Sequence, residues 1–123
     1  MENRKFSIKD RVKSIQHALR GLFHFLNYEH NARIHLLAAV LVIAFSLYTG
    51  LKRWEWICIL AVIFLVFIAE MFNTAIEKLS DKLHPERDPL IGRVKDIAAG
   101  AVLLASFFAV IVGLMIFLPK FAG

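Results

Sequence analysis

Glu70 closes a run of thirteen uncharged residues, Ile57 to Ala69. A carboxylate at the end of such a run is costly unless it has a partner or faces a polar cavity. Asn73, Glu77 and Asp81 follow it at i+3, i+7 and i+11. On a helix these four side chains fall within one arc of about 80°, so a single face carries three acids and an amide. Two further segments offer polar groups of complementary kind: Glu29, Asn31, Arg33 and His35, and then Lys95 and Asp96. Acids that converge with a lysine and an arginine suit a divalent cation and a phosphate, because magnesium prefers a few carboxylates together with phosphate oxygens and water. Phosphoryl transfer requires little more than a metal, cations and a positioned base.

Spacing alone leaves other readings open. Glu70 could be a structural partner for Arg33 or Lys95, or an ion or proton site in a non-enzymatic membrane protein, either an ion pathway or a scaffold. Glu29 and Arg33 at i, i+4 could be a simple helix-surface pair. Asp96 could merely charge the start of a helix. The five histidines show no metal-ligand spacing. Neither GxxxxGK[ST] nor the HRD and DFG signatures occur, so a kinase would need a fold unrelated to those classes.

These residues must be positioned by membrane helices. Of the 123 residues, 59% are hydrophobic, and three apolar stretches run over about 34–51, 54–72 and 97–118, each near the ~20 residues that cross a hydrocarbon core. Backbone amides in lipid must bond within their own segment, so helices are expected. Glu70 lies roughly 24 Å along its helix from Trp54, just inside one membrane edge rather than at the midplane. The first two spans meet at a short turn around Gly50 to Arg53, flanked by the interfacial aromatics Tyr48, Trp54 and Trp56. The second and third are joined by a charged link, Lys78 to Lys95, punctuated by Pro85, Pro89 and Gly92.

Seven lysines and arginines lie at or before Arg33 and five between Lys78 and Lys95, against Lys52, Arg53 and Lys120 on the other side. That asymmetry predicts a cytoplasmic N-terminus and second loop. The net charge of +5 therefore reads as a topology signal and as attraction to anionic lipid and phosphate, not to nucleic acid. Ile8, Val12, Ile15, Leu19, Leu22 and Leu26 recur at steps of four and three, with Lys9, Arg11, Lys13 and Arg20 off that stripe. This predicts an amphipathic helix over about 6–28, lying on the inner membrane surface or packed on partner helices. Ala101, Ala105, Ala109 and Gly113 form a small-residue stripe that lets helices approach closely. Cys58 reads as a buried inert thiol, and no cleavable signal peptide is expected in the basic, polar-broken first thirty residues. At this length the chain is expected to form one domain, 1–123, with little interior for a site of its own, which makes a site shared between copies attractive.

EMFNTAIE, residues 70–77, and GRVKDIAAGAV, residues 92–102, resemble the two signatures of the small prokaryotic diacylglycerol kinase family, which includes undecaprenol kinases. Order, spacing and three-span architecture match over nearly the whole chain. The resemblance implies an all-α homotrimer in the prokaryotic plasma (inner) membrane, with composite sites between subunits, ATP as phosphate donor and Mg2+ as cofactor. It implies that Glu70 is the general base acting on the lipid hydroxyl, that Glu29 and Glu77 hold the magnesium, and that Asn73, Lys95 and Asp96 position and neutralise the phosphates. Glu86, Arg87 and Asp88, with His17 and Arg11 on the surface helix, would lie along the nucleotide, and Ala99 would join Glu70 at the lipid substrate. His17 and Ala18 stand where the enterobacterial members have a tyrosine and a serine, and Asp10 stands near where they place an arginine. NARIH, residues 31–35, and the form KDIAAGAV look more like the undecaprenol kinase branch. The implied reaction is therefore undecaprenol to undecaprenyl phosphate, with diacylglycerol to phosphatidic acid as the alternative.

Overall fold

The computed structural model describes residues 5–86 and 88–122, which form four helices: α1 (Ile8–Tyr28), α2 (His30–Thr49), α3 (Arg53–Leu83) and α4 (Pro89–Ala122). The last three are long and apolar enough to cross a membrane. α1 starts behind Ser7, whose hydroxyl accepts the amide of Asp10, as an N-cap does. It ends at Glu29, a single extended residue (φ −96°, ψ 125°) that is both the last cap of α1 and the first cap of α2. The chain thus turns from one helix into the next in one residue, and α2 begins four residues before the apolar stretch expected from 34. Ile8, Val12, Ile15, Leu19 and Leu22 on α1 are exposed.

Gly50 ends α2 with φ +73°, a left-handed backbone that residues with a Cβ rarely adopt. Its amide donates to Ser46 O, and three residues later, at Arg53, α3 begins. Here Glu55 is buried, and its Oε1 accepts both the Lys52 amide at 2.9 Å and the Lys120 ammonium at 3.0 Å. The ion pair fastens the start of α3 to the last turn of α4.

α3 has 31 residues, a length of roughly 46 Å at the helical rise. A hydrocarbon core is ~30 Å thick, so the helix runs on well beyond the apolar segment that ends at Phe72. The charged link expected from Lys78 to Lys95 is accordingly mostly helix. Only 84–88 separates α3 from α4. Asp88 opens α4 as its N-cap: Oδ1 accepts the amides of Leu90 (2.8 Å) and Ile91 (3.1 Å), with Pro89 at the first helical position, where no donor is needed. Asp96 therefore lies two turns inside the helix rather than at its start.

α3 and α4 pack along their length. Ile59, Val62 and Val66 of α3, and Ala98, Ala105 and Ile116 of α4, are buried. Of the expected small-residue stripe only Ala105 is buried in the helix packing; Ala101 is exposed, and Ala109 and Gly113 line an open cleft. Four-residue steps drift by about 40° each on a helix, and Ala98, seven residues before Ala105, takes the contact instead. α2 buries Ala32, Ala39 and Ser46, small residues seven apart. Between α2, α3 and α4 lies an apolar cleft of about 710 Å³, lined among others by Val42, Phe45, Val62, Val66 and Phe117, and reaching His35.

Candidate active site

The polar face expected on α3 is present and graded. Glu70 and Asn73 are buried, Glu77 is half-buried and Asp81 is exposed. The same stripe that packs Ile59, Val62 and Val66 continues into these residues, because 59, 62, 66, 70 and 73 share one side of the helix. Glu70 is 2% exposed and is held from α2. Its Oε1 accepts from Asn31 Nδ2 at 3.2 Å, and its Oε2 lies 3.6 Å from His35 Nε2. The early start of α2 makes Asn31 helical, one turn before His35, so that both meet this carboxylate.

The cations weighed as partners for Glu70 are engaged elsewhere. The Arg33 guanidinium donates to Asn27 O, and Lys95 Nζ reaches Asp81 Oδ1 at 2.8 Å. Glu29 does not form the helix-surface pair with Arg33. It sits in the break between α1 and α2 and meets Lys78 Nζ at 2.8 Å, beside Glu77 in sequence. Asn73 Nδ2 makes a long contact of 3.5 Å to Glu77 Oε1, while Asn73 Oδ1 is buried with no partner among the described residues. A buried amide oxygen ordinarily accepts a hydrogen bond, so this atom suits a donor from a substrate or a metal-bound water. Glu29 and Glu77 are oxygen donors of the kind magnesium takes. Among the described residues no three His, Cys, Asp or Glu side chains converge as a metal site, so a magnesium ion here would draw the rest of its shell from phosphate and water.

The remaining residues singled out from the sequence are less gathered. Arg11 and His17 are exposed on α1, with the Arg11 guanidinium 5.6 Å over the Phe6 ring. Glu86 is exposed in the link, and Arg87 lies outside the described residues. Asp88 serves α4 as its cap; the Ile91 and Leu90 amides hold its carboxyl below the usual carboxylate range, with a smaller contribution from His84. Lys95 faces α3, whereas Asp96 and Ala99 lie on the exposed side of α4, one turn apart. Asn31 and His35 were visible in the sequence as polar residues at the start of the first span, but nothing in their spacing identified Glu70 as their partner.

The sequence matches the family model for prokaryotic diacylglycerol kinase over residues 16–117. The chain belongs to that family. The kinase is 39% identical over 108 residues to the undecaprenol kinase of Bacillus subtilis, with 88% of each chain covered. It is 35% identical over 107 residues to the diacylglycerol kinase of Synechocystis, covering 86% of this chain and 61% of that one. To the diacylglycerol kinase of Escherichia coli K12 it is 29% identical over 100 residues, covering 81% and 82%. The ion-pathway and scaffold readings therefore give way: this is a multi-pass membrane lipid kinase that draws its phosphate from ATP.

Proposed function

We propose that this kinase phosphorylates undecaprenol at the cytoplasmic face of the prokaryotic inner membrane, releasing undecaprenyl phosphate and ADP. The observation that carries the substrate assignment is the 39% identity, over 88% of both chains, to a relative named undecaprenol kinase. Phosphorylation of diacylglycerol to phosphatidic acid is the second reading, supported by the relatives named diacylglycerol kinase at 35% and 29% identity.

Glu70 is the base. It sits at the membrane-side end of the polar face, buried, next to the apolar cleft through His35. There it takes the proton from the lipid hydroxyl as the hydroxyl oxygen attacks the terminal phosphorus of ATP in line. The new O–P bond forms while the bond from phosphorus to the ADP oxygen breaks, and the proton remains on Glu70 until it is lost to solvent. Glu29 and Glu77 hold magnesium, which when bound neutralises charge on the phosphate oxygens. Asn73, Lys95 and Asp96 position the phosphates. Arg11, His17, Glu86, Arg87 and Asp88 lie along the nucleotide, and Ala99 joins the lipid side.

The lysine and arginine bias supports a cytoplasmic N-terminus and α3–α4 link. α1, with its exposed apolar stripe and basic flank, lies on the inner membrane surface. The whole chain acts as one domain and assembles as a homotrimer. Support for assembly comes from α4: Asp96 and Ala99 are on its exposed side, so a neighbouring copy is the natural partner for them, and each site is shared between two chains. The test is a parallel assay of the purified full chain with magnesium, ATP labelled in the terminal phosphate, and either undecaprenol or diacylglycerol. Higher kcat/KM for undecaprenol is expected. Labelling of diacylglycerol alone would overturn the substrate assignment.

A further inference from the structure

We infer that Asn31 positions the Glu70 carboxylate and that His35 orients the lipid hydroxyl against it, an inference that rests on reading Glu70 as the base. The two carboxylate oxygens of Glu70 face different side chains of α2. Asn31 Nδ2 donates to Oε1 at 3.2 Å. His35 Nε2 stands 3.6 Å from Oε2, beyond hydrogen-bond range. Asn31 and His35 are four residues apart on one helix, so both approach from the same side.

A glutamate reaching from α3 has three rotatable side-chain bonds, and each unconstrained bond has two or three wells. The Asn31 contact selects among them and commits Oε1. Oε2 is then the oxygen left to accept a proton, and it is the one beside His35, which also lines the apolar cleft between α2, α3 and α4. Two atoms 3.6 Å apart leave a position about 2.8 Å from each, ordinary hydrogen-bond distance for a hydroxyl. An alcohol there donates to Oε2 and accepts from the imidazole N–H, which turns its remaining lone pair toward the phosphate.

The identity of the partners matters as much as their placement. Arg33, Lys78 and Lys95 lie in the neighbouring segments, yet each is bound to another group: Asn27 O, Glu29 and Asp81 respectively. A fixed cation against Glu70 would oppose proton uptake by the carboxylate. An amide holds the same oxygen without bringing that charge.

The test uses the purified full chain with labelled ATP, magnesium and undecaprenol, with diacylglycerol in parallel. Asn31→Ala and His35→Ala should each lower kcat about tenfold or more, the scale of one hydrogen bond to a charged group, with KM for ATP within about twofold of wild type. His35→Gln, which retains an N–H donor, should recover part of the loss. Asn31→Asp, close in shape to the amide but without its donor, should not. Folding is followed separately by gel filtration and thermal unfolding, and Asn31→Asp and His35→Gln stand in for any alanine variant that does not fold. In a Glu70→Gln background, Asn31→Ala should change the residual rate by less than about twofold, because it acts through the same carboxylate. Wild-type kcat in the Asn31 and His35 variants, or a change confined to KM for ATP, overturns the inference. If Glu70→Gln itself retains the wild-type rate, it is the base assignment that fails.

Discussion

Replacing Glu70 by glutamine removes the proton acceptor while leaving almost everything else in place. The amide has nearly the volume of the carboxylate, and its oxygen can keep the contact that Asn31 Nδ2 makes to Oε1 at 3.2 Å. Because the side chain is 2% exposed, conserving volume matters, and Glu70→Gln should fold and assemble as the wild type does. General-base catalysis typically contributes ~10²–10⁴-fold, so kcat should fall by about that factor, equivalent to roughly 2.7–5.4 kcal/mol on the barrier. KM for ATP should hold, since Glu70 has no part in binding phosphate. Glu70→Asp is the companion: it keeps the charge but withdraws the carboxylate by about 1.5 Å. The shorter side chain loses Asn31 or loses its position, and a misplacement of ~1 Å can cost on the order of 10²-fold. The assay is the initial rate of label transfer from ATP at saturating lipid alcohol. A Glu70→Gln rate within about threefold of wild type would refute the reasoning, as would an unchanged kcat with a raised KM for ATP, which would assign Glu70 to uniform binding instead.

Three other outcomes follow from the structure. Glu29→Gln and Glu77→Gln should each raise the magnesium concentration at half-maximal rate by about tenfold or more, read by titrating magnesium at fixed ATP. Lys120→Met strands Glu55 beside α4 and should lower the thermal midpoint, whereas adding Glu55→Gln to it should recover part of the loss; kcat per folded molecule should stay the same, because the pair sits at the far end of α3 from Glu70. Asp88, its carboxyl held below the ordinary value of 3.8 by the Ile91 and Leu90 amides, contributes stability that is present above that value and disappears as pH falls through the lower folded-state value. Asp88→Asn should therefore flatten this part of the acid unfolding profile while keeping the cap, and Asp88→Ala should lose the cap at neutral pH as well.

The polar face of α3 was legible because helical periodicity is a property of spacing alone: Glu70, Asn73, Glu77 and Asp81 share a face wherever the helix sits. The helix ends were harder to see. Apolarity stops at Phe72, but a helix need not stop where lipid stops, and α3 continues to Leu83 on residues that solvent tolerates. The start of α4 depends on Asp88 folding back onto two amides, which moved Asp96 from a helix terminus to its interior. Pairings across distant segments were not readable at all. Glu29 meets Lys78 rather than Arg33 because Glu29 is the one extended residue between two helices, which breaks the i, i+4 relation. Asn31 and His35 meet Glu70, and Lys120 meets Glu55, through contacts set by how the helices dock. The exposed position of Asp96 and Ala99 likewise follows from which side of α4 packs on α3.

The central claim is that a lipid hydroxyl and the terminal phosphate of ATP react in a single in-line displacement beside Glu70. Stereochemistry at phosphorus tests this most directly. With ATP carrying a chiral thiophosphate at its terminal position, one displacement predicts inversion of configuration in the phosphorylated lipid. Retention would mean two displacements through a phosphorylated enzyme, and would contradict the account.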